Sequence, residues 1–334
     1  MNRFLTPGKV LVVAEIGNNH EGDFEVAREM VRVAADCGVD AVKFQTFKTR
    51  YFVSERDSAR FERLSSFELS FGQFEELQAL AKSLDLLFVS TPFDLASAEF
   101  LAGLVDFYKI ASSDNTFWPL MDTVSQTGKP MVLSTGLAGF EEVEKSKSFI
   151  EEHWQAIECS SALAVLHCVS CYPVPDDQAS LASIPFMKEK LGGIVGYSDH
   201  TLGLTACLTA VALGARIIEK HFTLDKQHSD FRDHQLSADP REMKLLVDGV
   251  VGVTRMLGVP GKTIQPCEAE STTLIRRSIV AAGNFPEGHR LRPGDLTWIR
   301  PGGGCPPGTE GQLLGRTLTR PISFGEPIIL SDLE

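Results

Sequence analysis

Residues 196–223 read GYSDHTLGLTACLTAVALGARIIEKHFT, in which two apolar runs each end in polar side chains. One histidine, His200 or His221, follows each run at the predicted end of a strand. The segment between them, from Leu204 to Gly214, is rich in Ala, Leu and Thr and has helical character. A strand, a helix and a second strand, with a potential metal ligand at each strand end, is how a (β/α) barrel builds a site.

The same alternation of strand and helix occurs eight times along the chain. The predicted strands are continuous apolar runs, typical of parallel strands covered on both faces. They are Val10–Ile16, Ala41–Thr46, Leu86–Thr91, Phe107–Ala111, Met131–Thr135, Leu163–Val169, Ile194–Ser198 and Ile217–Phe222. The helices are predicted at 23–37, 73–84, 94–102, 117–127, 140–153, 180–191, 203–213 and 240–257. Eight such units in about 255 residues match the size of a TIM barrel. An open doubly wound sheet is the alternative, disfavoured because no Gly-x-Gly-x-x-Gly follows any strand.

The pattern changes after residue 258. We predict an α/β chain with a (β/α)8 TIM barrel over 1–258, a linker over 259–275 and a small β-rich module over 276–334. The strands predicted for the module are Arg277–Ala281, Leu296–Ile299, Gly315–Leu318 and Ile328–Leu330. Within the barrel, the charged and Phe-rich stretch Thr49–Gly72 is an insertion. It is predicted to be a lid or substrate loop, or else a helical excursion on the surface.

Composition excludes several classes of protein. The 334 residues carry a net charge of −12 without any Lys/Arg block, which argues against a nucleic-acid-binding surface. No run approaches the roughly 20 apolar residues that a membrane span needs. The seven cysteines lie mostly in apolar runs, which predicts reduced thiols and a cytoplasmic location. An anionic substrate would need a locally basic pocket in so acidic a protein.

Polar side chains collect at the carboxyl ends of the predicted strands. Because residues i and i+2 of a strand share a face, inward-facing strand ends would bring together lysines, histidines, carboxylates and hydroxyls. They are Glu15, Lys43, Lys109, Ser134, Ser170, Tyr172, Ser198, His200, Glu219 and His221. Polar groups at one end of eight apolar strands require a reason, since burying them is costly.

These residue types indicate a definite chemistry. Two separated lysines with serines form a cradle for a phosphate or phosphoenol group. Two histidines from neighbouring strands suit a divalent transition metal that acts as a Lewis acid, and Glu15 can serve as a general base. The alternatives are structural: each histidine could be a core residue, and Glu219 could pair with Lys43 or Lys109 in a barrel layer.

At this point the chain resembles a known family, the sialic acid synthases (N-acetylneuraminate synthases). The stretches that carry the resemblance are Ala14-Glu-Ile-Gly-Asn-Asn-His-Glu-Gly22, Val42-Lys-Phe-Gln-Thr46, Tyr108-Lys-Ile-Ala-Ser112, Leu133-Ser-Thr-Gly136, His167-Cys-x-x-x-Tyr-Pro173, Gly196-Tyr-Ser-Asp-His-Thr-Leu202 and Glu219-Lys-His-Phe-Thr223. The tail from Arg277 resembles the antifreeze-like SAF module of the same family, including Arg300-Pro-Gly302. The resemblance covers nearly the whole chain, in order.

The resemblance implies a phosphoenolpyruvate-dependent, aldol-type synthase that joins phosphoenolpyruvate to an N-acetylhexosamine. The products would be a nine-carbon 2-keto-3-deoxy acid and phosphate. It implies that His200 and His221 hold a divalent metal, Mn²⁺ or Mg²⁺, which polarises the sugar aldehyde. Phosphoenolpyruvate would be held by Lys43, Lys109, Ser112, Ser134 and Ser198, with Tyr172 nearby. Glu15 would orient or deprotonate the attacking water, and Asp233 would bind sugar hydroxyls. Arg300 would reach the barrel of the other subunit of a domain-swapped homodimer.

The sugar-facing positions depart from the family pattern. Asp114 stands where the family has a Glu that contacts the sugar, Ser170 stands where it has an Asn, and Arg232 adds positive charge after the last strand. The acceptor could therefore be N-acetylmannosamine, a diacetamido sugar leading to legionaminic or pseudaminic acid, an unacetylated sugar, or a spore-coat sugar. Two other classes compete with the synthase, a non-catalytic carbohydrate-binding relative and a metal-dependent hydrolase. A hydrolase usually needs more metal ligands than two histidines.

Overall fold

The structure is a computed structural model that describes residues 6 and 8–334. It divides into two compact units, Met1–Gly258 and Val259–Glu334. In the part of the chain it describes, no helix is long and apolar enough to span a bilayer.

The first unit is a closed barrel of eight parallel strands. The strands are β1 (Leu11–Gly17), β2 (Ala41–Thr46), β3 (Leu87–Pro92), β4 (Phe107–Ile110), β5 (Met131–Ser134), β6 (Leu163–Cys168), β7 (Ile194–Asp199) and β8 (Ile217–His221). Each pairs with the next, and β8 pairs with β1 from Leu11 opposite Ile217 to Glu15 opposite His221. The TIM barrel predicted from the sequence is confirmed, and each predicted strand lies within one residue of an observed one at either end.

Helices cover the outside of the barrel. They are α1 (Phe24–Asp36), α2 (Thr49–Phe52), α3 (Ser58–Phe67), α4 (Phe71–Ser83), α5 (Leu95–Leu101), α6 (Trp118–Ser125), α7 (Phe140–Ala156), α8 (Ser183–Leu191), α9 (Thr205–Ala212), α10 (Arg232–Leu236) and α11 (Pro240–Leu257). Several begin at a side-chain cap: the Asp23 carboxylate accepts from the backbone amides of Glu25 and Val26, and Ser70 and Gln73 form a capping box.

The barrel interior explains why polar residues gather at one end. Its lower layers are filled by a buried apolar cluster that includes Leu11 and Val13 of β1, Phe107 of β4 and Ile217 of β8. Every second residue of a strand points to the same face. Along the inward face, these apolar side chains are therefore followed toward the carboxyl ends by Glu15 in β1, Lys109 in β4, and Glu219 and then His221 in β8. The inward face therefore changes from apolar to charged along the same strands, which places a polar site at the carboxyl-terminal mouth.

The insertion after β2 is helical and packs on the barrel. Residues 49–72, predicted as a lid or substrate loop or else as a helical excursion on the surface, are helical, as α2, α3 and the start of α4, and several of their side chains, among them Tyr51 and Phe52, line the cavity at the barrel mouth. The ring of Phe52 stacks on Phe93 at 4.3 Å, and the ring of Phe67 meets Phe231 edge-on at 5.3 Å. These contacts join the insertion to the segments that follow β3 and β8.

The second unit is small and has few regular elements. The segment predicted as a linker contains a 3₁₀ turn, Pro266–Glu268, and a helix, α12 (Ala269–Ile275). Two antiparallel strands follow, β9 (Ser278–Ala281) and β10 (Leu296–Ile299), around a buried cluster that includes Leu313, Leu318 and Ile328. The strands predicted at 315–318 and 328–330 are wrong. Leu318 and Ile328 are buried while Ile329 and Leu330 are exposed; residues 317 and 318 form only the isolated bridges Arg290–Thr317 and Leu318–Leu333, and residues 330–332 form a 3₁₀ turn.

Candidate active site

A cavity of about 830 Å³ opens at the carboxyl-terminal mouth of the barrel. Twelve of the thirteen predicted site residues line it. They are Glu15, Lys43, Lys109, Ser112, Asp114, Ser134, Ser170, Tyr172, Ser198, His200, His221 and Asp233. The thirteenth, Arg300, directly follows β10 in the second unit and is exposed. The strands thus bring together side chains that are up to about two hundred residues apart in sequence, as expected for a barrel mouth.

A charged layer forms the floor of the cavity. Lys43 Nζ lies 2.8 Å from Glu15 Oε2 and 3.7 Å from Glu219 Oε2, and Lys109 Nζ lies 3.3 Å from Glu219 Oε1. The Ser198 hydroxyl donates to Glu219 Oε1 at 2.8 Å. All four charged side chains are buried. Glu219, whose role the sequence left open, therefore pairs with both lysines.

Burial and proximity separate the proton affinities of the two carboxylates. Burial would raise the pKa of Glu219, but Lys109 and Lys43 lower it to about 2. Burial raises the pKa of Glu15 above its usual range; Lys43 offsets part of this, while Glu219 adds to it. Two carboxyls whose environments push their pKa values apart can take different roles. Glu219 is the permanent counter-ion of the lysines, and Glu15 is the group able to accept a proton.

The two histidines stand side by side above this floor. Their ring centroids are 5.3 Å apart, and Tyr172 lies 4.1 Å from the ring of His200. Nδ1 of His200 donates to the carbonyl of Val169 at 2.9 Å, which leaves Nε2 with its lone pair in the neutral ring. Nδ1 of His221 is buried and has no hydrogen-bond partner among the described residues. Burial, together with the neighbouring His200 and Lys43, lowers the pKa of His221 well below its usual value.

This donor set fits a divalent metal. A metal-bound imidazole commonly donates its other ring N–H to a backbone carbonyl, as His200 does. An orphaned, neutral nitrogen on His221 is a free ligand. Burial lowers the pKa of His200, but the Cys168 thiol, 3.8 Å from its Nδ1, outweighs burial and raises the pKa above its usual value. A metal at His200 would therefore compete with a proton for the ring. Among the described residues, no group of three or more His, Cys, Asp or Glu could hold a metal, so water or substrate would supply the other ligands.

A buried ion pair behind the histidines holds the turn that carries His200. Lys220 Nζ donates to Asp199 Oδ2 at 2.7 Å and to the carbonyl of Thr201 at 2.5 Å. Asp199 also accepts from the Tyr197 hydroxyl and from the backbone amide of Thr201. Both charged side chains are at most 1% exposed. The pair fixes the residues on either side of His200 in place.

We predict that Lys220→Met destabilises the barrel by about 3–5 kcal/mol, because it leaves the Asp199 carboxylate buried without a counter-ion. The free energy of unfolding in urea, followed by circular dichroism, measures the loss. Lys226→Met is the matched control, since Lys226 pairs with Glu242 at a partly exposed site where about 0–1 kcal/mol is expected. A Lys220 variant within about 1 kcal/mol of the wild type would show that the pair is not structural.

The segment after β8 carries groups predicted to face the sugar, and they lie beside Tyr172 and His200. Arg232 lies over the ring of Tyr172, with 4.4 Å from its guanidinium carbon to the ring centroid. Its Nε is 3.3 Å from Oδ1 of the buried Asp233. The segment is tied to the turn after β1, because His234 Nε2 lies 2.9 Å from Glu21 Oε1. Asp233 is therefore held in place by the fold before any substrate binds.

Some residues of the cavity were not predicted. Gln45 approaches Glu15 at 3.4 Å and accepts from Asn18 at 2.8 Å, and Thr91 accepts from Lys43 at 3.2 Å. Gln45 shares a strand face with Lys43, so the period-two pattern could have identified it. Arg60 and Arg63 of α3 also line the cavity. The predicted lid or substrate loop at 49–72 includes them, but no local sequence pattern singles out these two arginines.

Comparison with known proteins identifies relatives along the whole chain. Residues 30–262 match the NeuB family and residues 276–334 match the SAF domain. An uncharacterised protein of Methanocaldococcus jannaschii is 41% identical, covering 91% of this chain and 88% of its own length. The N,N'-diacetyllegionaminic acid synthase of Campylobacter jejuni is 33% identical, covering 93% and 96%. Other relatives are named N-acetylneuraminate-9-phosphate synthase, in humans, and pseudaminic acid synthase, in C. jejuni.

Solved structures agree with this assignment. The spore coat polysaccharide biosynthesis protein E of Chromobacterium violaceum, described as putative, superposes with a TM-score of 0.82 at 27% identity, covering 98% of this chain and all of that one. The resemblance to sialic acid synthases and the SAF module at the tail are thereby confirmed. The family model matches most of the barrel, and the relatives share both units of the chain. The chain therefore belongs to the NeuB family.

Proposed function

We propose that this chain catalyses a phosphoenolpyruvate-dependent, metal-dependent condensation with an N-acetylhexosamine-type aldose, giving a nonulosonic acid and phosphate. Its relatives are named as synthases of such acids, which makes the chain an enzyme of the transferase type. The observation that carries the proposal is the arrangement of two buried lysines and two carboxylates directly beneath two adjacent histidines. A carbohydrate-binding protein would not need a buried charged layer of this kind, which costs free energy to desolvate.

The chain's own residues can be assigned to the steps of this reaction. Lys43 and Lys109 place positive charge where an anionic phosphoenolpyruvate would lie, and Ser112 and Ser134 offer hydroxyl donors. Ser198 lines the same cavity, but its hydroxyl donates to Glu219, so it would serve a ligand as an acceptor. The buried Ser134 hydroxyl has no partner among the described residues, so it is free to bind a ligand. Attack by C3 of phosphoenolpyruvate on the aldehyde carbon forms the new C–C bond and leaves a cationic C2.

Water completes the reaction at that carbon. Glu15 accepts one proton of a water that adds to C2, and one proton is taken up by the alkoxide left on the former aldehyde oxygen. The tetrahedral C2 then loses its hydroxyl proton as its C–O bond to phosphate breaks, which gives the 2-keto acid and phosphate. Asp233 positions the sugar, with Asp114 and Ser170 on the neighbouring loops, and Tyr172 lies near the site of phosphoenolpyruvate. Lewis-acid polarisation of the aldehyde is the chemistry that a divalent metal, Mn²⁺ or Mg²⁺, supplies when His200 and His221 hold it.

Phosphate release tests the proposal. We expect release only when phosphoenolpyruvate, Mn²⁺ and an aldose are all present, and chelation with EDTA should stop it. The panel of aldoses is N-acetylmannosamine, mannose and 2,4-diacetamido-6-deoxy sugars, matching the acceptors that the sequence leaves open. Full activity after chelation would contradict the metal-dependent reaction. Binding of sugar without turnover of any member would favour the carbohydrate-binding alternative.

Gly136 lies close to the predicted substrate serines and offers a local test. Its amide donates to Ser112 Oγ at 3.0 Å. A Cβ at this position would lie 2.3 Å from Ser170 Oγ and 2.8 Å from Ser112 Oγ, so both hydroxyls would have to turn away. We predict that Gly136→Ala raises KM for phosphoenolpyruvate roughly tenfold, about 1.4 kcal/mol. Gly139→Ala in the same loop is the control, since its Cβ would meet nothing closer than 3.8 Å. An unchanged KM for phosphoenolpyruvate would remove Ser112 from the site of that substrate.

We include in the proposal a cytoplasmic homodimer in which Arg300 of one subunit serves the barrel of the other. Its basis is the family resemblance of the tail together with the exposure of Arg300, whose guanidinium forms no ion pair among the residues described here. An exposed arginine is suited to contact the polar N-acyl group of a sugar bound elsewhere.

A further inference from the structure

The turn after β1 holds the segment after β8, residues 222–237, at both of its ends. The side-chain amide of Asn19 donates to the carbonyl of Phe222 at 2.8 Å and to the Ser237 hydroxyl at 3.0 Å. The Ser237 hydroxyl donates in turn to the carbonyl of Asp233 at 2.6 Å. All four of these residues are buried. One side chain of the turn therefore holds the first and last residues of the segment and, through Ser237, the backbone of Asp233.

A second contact holds the middle of the segment. Glu21 Oε1 accepts from His234 Nε2 at 2.9 Å and from the Ser229 hydroxyl. The His234 ring is only 1% exposed, and its Nδ1 lies 2.7 Å from the Thr223 hydroxyl. The Ser229 hydroxyl also accepts from the backbone amide of Phe231 at 3.0 Å. A single carboxylate oxygen is therefore the point at which two parts of the segment meet the turn.

The backbone at Glu21 is strained. Its φ is +46°, in the left-handed region that residues other than glycine rarely adopt. The next residue, Gly22, packs so closely on α3 that a Cβ there would lie 2.0 Å from the carbonyl oxygen of Ser66. Burial would raise the pKa of Glu21, but the hydrogen bonds from Ser229 and His234 lower it below its usual value. Strain of this kind persists where the surroundings fix the conformation, and it is common at functional sites.

The segment also supplies one part of the cavity wall. Its residues 230–233 line the cavity, and Asp233 directly precedes His234 in the chain. The residues proposed to bind phosphoenolpyruvate lie on β2, β4, β5 and β7 and in the turn after β4. A shift of the segment would therefore move the group proposed to bind the sugar and leave the groups proposed for phosphoenolpyruvate where they are.

We propose that Glu21 and His234 are positioning residues for the acceptor sugar, whose contact fixes Asp233 in the orientation that the sugar hydroxyls require. The inference rests on the proposed function, in which Asp233 serves the acceptor. Neither Glu21 nor His234 is among the residues that line the cavity, so each acts through Asp233 and does not touch the sugar. A segment ordered in advance loses less conformational entropy when the sugar binds, which strengthens binding.

Michaelis constants for the two substrates separate this role from a purely structural one. In Glu21→Ala we expect KM for the accepted aldose to rise roughly tenfold, about 1.4 kcal/mol, while KM for phosphoenolpyruvate stays within about twofold. Glu21→Gln keeps an oxygen that can accept both hydrogen bonds, so it should recover most of the affinity for the aldose. His234→Ala should resemble Glu21→Ala. The double variant should be no worse than either single variant, because the two residues act as one unit.

A control and a second measurement accompany the kinetics. His153 pairs with Asp122 at 3.3 Å between the outer helices α6 and α7, so His153→Ala removes a similar contact away from the segment and should leave both KM values unchanged. Hydrogen–deuterium exchange of residues 222–237 is measured in the full-length protein without substrate. Exchange should be faster in Glu21→Ala and close to the wild type in Glu21→Gln. If no aldose is turned over, the proposed function fails, while exchange still decides whether the pair orders the segment.

Two results would overturn the inference. One is a Glu21→Ala protein in which KM rises by the same factor for both substrates, since the change would then distort the whole barrel mouth. The other is a folded Glu21→Ala protein in which neither KM for the aldose nor the exchange of residues 222–237 changes, since the segment would then keep its place without the contact.

Discussion

Replacing His221 with Ala should lower kcat about a thousandfold, because the loss of several kcal/mol of Lewis-acid stabilisation at the aldehyde corresponds to that factor. His221 contributes a buried, neutral imidazole whose Nδ1 has no hydrogen-bond partner among the described residues. Its ring faces His200 at 5.3 Å, so the two form one pair of potential ligands. Calorimetric titration with Mn²⁺ gives a readout independent of turnover, and the affinity should fall with the activity.

A loss of activity can be assigned to the metal site only if the His221→Ala variant remains folded. Removing an imidazole that makes no hydrogen bond through Nδ1 should leave the thermal midpoint close to that of the wild type, since no buried partner loses its bond. His153→Ala, on the partly exposed face of α7, is the control and should retain full activity. Retained Mn²⁺ affinity in a folded His221→Ala protein would take His221 out of the metal site.

Two inactive subunits should restore activity when they are combined in one dimer. One subunit carries His221→Ala and keeps Arg300, and the other carries Arg300→Ala and keeps His221. If Arg300 serves the barrel of the other subunit, the mixed dimer has one complete site of two, so we expect about half the wild-type activity. Co-expression with two different affinity tags and sequential purification isolates the mixed dimer.

The alternatives give different results in the same experiment. If Arg300 serves its own barrel, the mixed dimer has no complete site and shows no more activity than the Arg300→Ala protein. If the chain is a monomer, the two tags do not purify together. The single Arg300→Ala homodimer should bind phosphoenolpyruvate normally, because the residues predicted to bind it all lie in the first unit.

The barrel and its charged floor could be predicted because each follows from a local pattern. Parallel strands covered on both faces are continuous apolar runs, so all eight were visible in the sequence. Polar residues such as Lys43 and Lys109 at the ends of those runs share an inward face by the period of two. The pairing of Glu219 with both lysines could not be settled this way, because strand periodicity gives a direction for a side chain and no distance to its partner.

The rim of the site depended on tertiary packing. Arg60 and Arg63 have the spacing of any charged helix face, and only the burial of Phe67 and the stacking of Phe52 on Phe93 turn that face toward the cavity. In the second unit the sequence pattern predicted strands that do not form. Short stretches at 315–318 and 328–330 resemble strands, yet closely spaced turns bury only Leu318 and Ile328 and leave isolated bridges, such as Leu318–Leu333, in place of a ladder.

Formation of the carbon–carbon bond separates the proposed synthase from a simple phosphatase, and labelled phosphoenolpyruvate reports on that bond. The full-length protein is incubated with Mn²⁺, an accepted aldose and phosphoenolpyruvate carrying ¹³C at C3, and the products are followed by ¹³C NMR and mass spectrometry. We predict a labelled methylene carbon in a product whose mass equals that of the aldose plus pyruvic acid, with one phosphate released per product. Labelled pyruvate and phosphate beside an unchanged aldose would contradict the account, since the site would then hydrolyse phosphoenolpyruvate without joining it to a sugar.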